Sequence, residues 1–107
     1  MPKKRGRRKL NLNRIQSMRV HTRRRVKERY GIEFTASLRK QVIYKIQSGQ
    51  SIYAGKQSVS RSFHFVDVEV DDETVKMLFI YDKTRNELKT ALHLTALKEG
   101  TEATLVQ

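Results

Sequence analysis

The hydrophobic positions of this chain fall into a helical period first and an alternating period later. From Arg14 to Tyr30, Ile15, Met18, Thr22, Val26 and Tyr30 recur at steps of three and four. That spacing predicts an amphipathic helix with one inward stripe. Asn13 is its expected N-cap, and Gly31 its left-handed stop. A second helix is predicted over Thr35 to Ser48, with Thr35 as N-cap and Phe34 stapled onto the first turn. Leu38, Val42 and Ile46 form its inward stripe, and Gly49 ends it. The three-residue connection Ile32-Glu33-Phe34 predicts that the two helices pack as neighbours.

The pattern then switches to period two. Ser60 to Val70 alternates, with His64, Val66, Val68 and Val70 on one face and Phe63, Phe65, Asp67 and Glu69 on the other. Asp71-Asp72-Glu73 is a turn. Thr74 to Tyr81 is apolar on both faces and is the expected central strand. After a second turn at residues 82–86, Glu87 to Leu94 should place Leu88, Thr90, Leu92 and Leu94 on one face. Ile52 and Tyr53 either start a short strand or cover the edge of the core. The order predicts an α+β fold, two N-terminal helices on one face of a three- to four-stranded antiparallel sheet. The expected organisation is a basic flexible arm over 1–13, a single domain over 14–95 and a frayed C-terminal tail over 96–107.

Charge changes this picture. The chain of 107 residues has a net charge of +12, and residues 1–30 hold 13 Lys/Arg against Glu28 alone. The remainder holds ten Lys/Arg and ten Asp/Glu and is neutral. A polyanion is the natural partner of such a surface, through counterion release. Nucleic acid leads, RNA ahead of DNA, with an acidic protein as the other partner. The oligomeric state is left open. No apolar run predicts a transmembrane span, and no apolar region follows the basic N-terminus as a secretory signal requires. The expected location is the cytoplasm, without a membrane partner. There is no cysteine, and His21, His64 and His93 have no ligand-like spacing, so neither metal nor cofactor is expected.

The candidate nucleic-acid contacts are Lys3, Lys4, Arg5, Arg7, Arg8 and Lys9 in the arm, with Arg14, Arg24, Arg25 and Arg29 on the first helix. His21, Arg25 and Arg29 lie on its shoulder by the 3.6-residue period, whereas Arg23, Arg24 and Lys27 point outward. An imidazole titrates near neutrality and can give or take a proton. Arginines offer paired donors to phosphate and stabilise charge that develops on it. The plain alternative is a helix with a solvated basic face. His64, on a strand face with valines, reads as a satisfied core histidine.

The segments HTRRRVKERYGI (21–32), IQSGQS (46–51), KQSVSRS (56–62) and FIYDKTRNELKTAL (79–92), in that order, resemble a family of small phage and mobile-element proteins. That family is similar to the RelE/ParE and BrnT toxins and, more remotely, to the barnase–colicin group of ribonucleases. The resemblance spans about residues 18–94. It implies a concave sheet face that binds RNA, and a metal-independent endoribonuclease activity in which cleft side chains assist attack of a 2′-hydroxyl on the adjacent phosphate. The matching catalytic positions are His21, Arg25, Lys56, Ser58, Tyr81 and Lys83, with Thr90 on the last strand. The C-terminal catalytic cluster of RelE-like toxins has no counterpart here. The alternative expectation is a phage accessory protein that binds host RNA, DNA or an acidic partner without catalysis.

Overall fold

A computed structural model describes the backbone of residues 2–97 and the side chains of residues 13–97. Two helices, α1 (Pro2–Tyr30) and α2 (Ala36–Gln47), precede four strands: β1 (Ile52–Lys56), β2 (Arg61–Val70), β3 (Glu73–Asp82) and β4 (Glu87–Leu92). A 3-10 turn, Leu94–Leu97, follows. The sheet is antiparallel in the order β1-β2-β3-β4, so this is the expected α+β architecture with β3 inside it.

Helix α1 begins earlier than the stripe alone predicts. From Pro2 the basic segment is one helix with the rest, so Asn13 lies inside a turn and caps nothing. Lys, Arg and Leu are good helix formers, and proline is suited to the first helical position. The stripe itself is as read: Met18, Thr22 and Val26 are buried, and Ile15 and Tyr30 half-buried. Gly31 adopts a φ of 70° and stops the helix, its N–H bonded to the Lys27 carbonyl at 2.9 Å.

Thr35 caps α2, its Oγ1 accepting from the Leu38 N–H at 3.2 Å. The far end closes with Gly49 at φ 79°. There the Gln50 N–H reaches the Lys45 carbonyl at 2.8 Å and the Gly49 N–H reaches that of Ile46 at 3.4 Å, the double closure of a Schellman ending. Phe34, which precedes Thr35, is buried against Phe79, ring centroids 5.6 Å apart. The helices are not a tight pair. α1 packs on β4 and α2 on β2, because the sheet offers each stripe a separate apolar strip. Val26 from α1 and Val42 and Ile46 from α2 meet Val66, Val68, Met77, Phe79, Leu88 and Ala91 there.

A register skip at Ile80/Tyr81 opposite Lys89 changes the face assignment of β4. Leu88 and Ala91 join the helix side, while Leu92 packs on the other side with Phe63, Phe65 and Leu97. The expected single face of Leu88, Thr90, Leu92 and Leu94 therefore breaks at the bulge, since one extra residue inverts every later side chain. Leu97, expected in a frayed tail, is buried against Ala54 and Leu78. The rest of that tail, residues 98–107, lies outside the described residues. On the sheet face opposite the helices, Phe63, Phe65 and Leu92 thus pack with Ala54, Leu78 and Leu97, beside the exposed Asp67 and Lys76.

Helix α1 also closes the β4 side of the sheet. Thr22 Oγ1 donates to the Leu88 carbonyl at 3.2 Å, and Arg29 Nε to that of Ala91 at 3.0 Å. The Tyr30 hydroxyl donates to the Leu92 carbonyl at 2.5 Å and accepts from the Leu78 N–H at 3.0 Å. These side chains satisfy backbone groups that an edge strand would otherwise leave unpaired. At the other edge, β1 is short and bulged between Tyr53 and Lys56.

Candidate nucleic-acid interface

His21 sits on the shoulder of α1, half-buried between two surface hollows. One is bounded by Gln16, Ser17, Val20 and Arg24, the other by Arg14, Ser17, Met18 and Lys89. Lys89 reaches this place from the β4 bulge. Burial holds the His21 imidazole below its ordinary pKa, and the charges of Arg25, Lys89, Arg24 and Arg29 push the same way. All of those neighbours are cationic. The site therefore keeps His21 neutral at pH 7 and would favour its protonation only when an anion arrives.

The cations around it differ in what they already hold. Arg25 pairs with Glu28 at 2.7 Å, one turn along the helix. That hydrogen bond is the main reason the Glu28 carboxyl is held below its ordinary pKa. Arg29 spends its Nε on the Ala91 carbonyl. Arg23 pairs with Glu33, and Arg19 with buried Glu87 at 2.9 Å. Arg14, Arg24, Lys27 and Lys89 have no carboxylate partner among the described residues. The expected phosphate pair Arg25 and Arg29 is thus partly committed to the fold, and free positive charge is carried by Arg14, Arg24, Lys27 and Lys89. Lys89 carried no sequence signal for this role, because strand alternation does not reveal a bulge. Lys3, Lys4, Arg5, Arg7, Arg8 and Lys9 extend the helix toward its N-terminus, with side chains outside the described residues.

The other expected catalytic positions gather elsewhere. Lys56, Tyr81 and Lys83 border a cleft of about 360 Å³ with Tyr53, Arg61 and His64, beside the C-terminal end of α2. His21 borders no part of it, so the proposed catalytic set divides between two places. Ser58 is exposed in the turn before β2 and does not border the cleft. Thr90 pairs with Ile80 on the strand face away from Tyr81. The Tyr81 ring is buried, its hydroxyl donating to Asn86 Oδ1 and accepting from Gln47 Nε2 at 3.4 Å. His64 is the satisfied histidine its position predicted: Ser51 Oγ lies 2.9 Å from Nδ1 and Ser62 Oγ 2.8 Å from Nε2. Burial lowers its pKa.

Among the described residues no group of three His, Cys, Asp or Glu side chains could hold a metal ion. No helix among them is long and apolar enough to cross a membrane. Comparison with protein-family models, curated proteins and solved structures finds no match to this chain.

Proposed function

We propose that this protein binds nucleic acid, with RNA the first target to test, through the basic side of α1 and Lys89. The observation that carries the reading is the set Arg14, Arg24 and Lys89 around His21, none with a carboxylate partner among the described residues. Phosphates bound there would replace counterions, so affinity should depend steeply on salt. The direction toward RNA rests on the family resemblance. A cytoplasmic setting belongs to the same proposal.

Endoribonuclease activity is the second reading, and one observation favours it: His21 is kept neutral, as a general base requires. Its separation from Lys56, Tyr81 and Lys83 favours binding without cleavage. The test is retention of labelled RNA in chelator, at several salt concentrations, by wild type, Arg24→Gln/Lys89→Gln and His21→Ala. Removing two phosphate contacts should lower the slope of log affinity against log salt by about 1.4 to 1.8. Affinity that does not weaken with salt overturns the proposal. Cleavage by wild type that His21→Ala abolishes replaces it with the enzymatic reading. Nuclease-resistant capture of an acidic protein, with no RNA retained, replaces it with a protein-docking role.

A further inference from the structure

The cleft beside the C-terminal end of α2 has its own chemistry. Its floor is the helix-side surface of β2 and β3, where the sheet extends past α2. The Schellman ending at Gly49 stops α2 short of this end, and the β1 bulge brings Lys56 opposite Ser62. The Lys83 N–H bonds to the Ser60 carbonyl at 2.8 Å, fixing the β3–β4 turn against the start of β2. Lys56 and Lys83 therefore stand on two sides of one opening. Neither has a carboxylate partner among the described residues, and both are exposed.

Asp82 does not cancel that charge. It is fully buried, and Arg61 and Arg85 hold it at 3.3 and 3.0 Å. Burial pushes its carboxyl up, but hydrogen bonds from the Arg85 backbone and side chain and from Arg61 more than offset this and hold it ionised. Beside the lysines lies an aromatic group. Tyr53 is 56% exposed. Its edge-on contact with His64, centroids 5.7 Å apart at 70°, supports it from one side. His64 meets Tyr81 edge-on as well, at 6.1 Å and 87°. The three rings stand on a polar floor that the Ser51–His64–Ser62 bonds keep satisfied. A volume of about 360 Å³ lies within the range of small-ligand sites.

We propose that this cleft is a nucleotide-binding site, in which Tyr53 stacks on the base and Lys56 and Lys83 hold the phosphate. Two cations with no acid between them select an anion, and an exposed ring propped from behind selects a planar group. A phosphorylated nucleoside combines both. The nucleotide is either free or one residue of a bound strand. The site shares no bordering residue with the hollows around His21, so it stands or falls apart from the α1 surface.

The experiment is titration of the full-length protein with nucleoside monophosphates, followed by amide shifts in ¹H–¹⁵N spectra, with inorganic phosphate and an unphosphorylated nucleoside in parallel. Shifts should centre on residues 53–62 and 81–83. Tyr53→Ala should weaken nucleotide binding about 5- to 160-fold, and Lys56→Gln/Lys83→Gln should weaken it and flatten its salt dependence. Both sites of substitution are exposed, and an unchanged spectrum elsewhere verifies the fold. Arg24→Gln/Lys89→Gln should leave nucleotide binding unchanged. A free nucleotide is the ligand if monophosphates bind as tightly as a short single strand. A strand residue is the ligand if the strand shifts the same amides at far lower concentration. Cleft amides that respond to neither, or that respond equally to inorganic phosphate, overturn the proposal.

Discussion

Replacing Glu87 with glutamine, a conservative change, should cost this fold a large part of its stability. The Glu87 side chain is 2% exposed and receives Arg19 Nε at 2.9 Å from α1 and Arg39 Nη1 at 3.3 Å from α2. Both helices thus hold this carboxylate of β4. Taking away one partner of a buried ion pair costs about 3–5 kcal/mol, mostly because the other charge stays buried. Two features reduce that figure here. Arg19 is 47% exposed and can return to water, and glutamine keeps one carbonyl acceptor. Arg39, at 16% exposure, cannot move out as easily. The expected loss is therefore about 2–3 kcal/mol. In a domain of this size that is about 8–24 °C in melting temperature. Urea and thermal unfolding followed by circular dichroism measure both quantities. The double variant Glu87→Leu/Arg39→Leu removes both charges and should lie closer to wild type than Glu87→Gln does. A Glu87→Gln variant within 0.5 kcal/mol of wild type, or a double variant less stable than the single, would refute the reasoning.

Tyr30→Phe should cost about 1–3 kcal/mol, since it orphans both the Leu78 N–H and the Leu92 carbonyl. Faster hydrogen exchange at Leu78 than at its neighbours is the specific readout, and unchanged exchange there would contradict it. Gly49→Ala meets no atom within 4 Å but must hold φ at 79°, so a backbone cost of about 1 kcal/mol is expected in thermal unfolding; no shift would show that the helix end relaxes freely. His64 has a folded pKa below its unfolded one because of burial. Between the two values the unfolded chain binds more protons, so its contribution is full above about pH 6.5 and is lost as pH falls through the folded value. Urea midpoints from pH 7.5 to 5 should fall for wild type and fall less for His64→Gln, although His21, with a shift of the same sign, still contributes; identical profiles would exclude His64 as a source.

The elements were legible because each carries its own punctuation. Thr35, Gly31, Gly49 and the Asp71-Asp72 pair mark helix ends and a two-residue turn, and the structure uses all of them, both aspartates with positive φ. The long-range partners were not legible. Nothing in the spacing of Arg29 says that its Nε belongs to the Ala91 carbonyl, and nothing near Glu87 says that two arginines from different helices will meet it. The His21 row was visible as a helical period, and its half-buried shoulder position follows from that period. Which cations stay free depends on which find carboxylates, and that is decided by tertiary contacts. The β4 bulge was the hardest feature to foresee, because Leu88, Thr90 and Leu92 satisfy simple alternation. That one inserted residue sends Thr90 away from the cleft and places Lys89 beside His21.

The ties between α1 and β4 have a consequence for the order in which the chain can fold. Thr22–Leu88, Arg29–Ala91, Tyr30–Leu92 and Arg19–Glu87 join residues 66, 62, 62 and 68 positions apart. Local turns can assemble α2 and the hairpins early, but the first helix finds its seat only when the last strand exists. At about 5–20 residues per second of synthesis, that interval is about 3–13 seconds. Closing so long a loop also slows folding from the full-length unfolded chain. Throughout that time Met18 and Val26 are uncovered, on the helix with the highest density of positive charge. Mutual repulsion between such helices keeps nascent copies apart at the stage when they would otherwise aggregate through their apolar stripes.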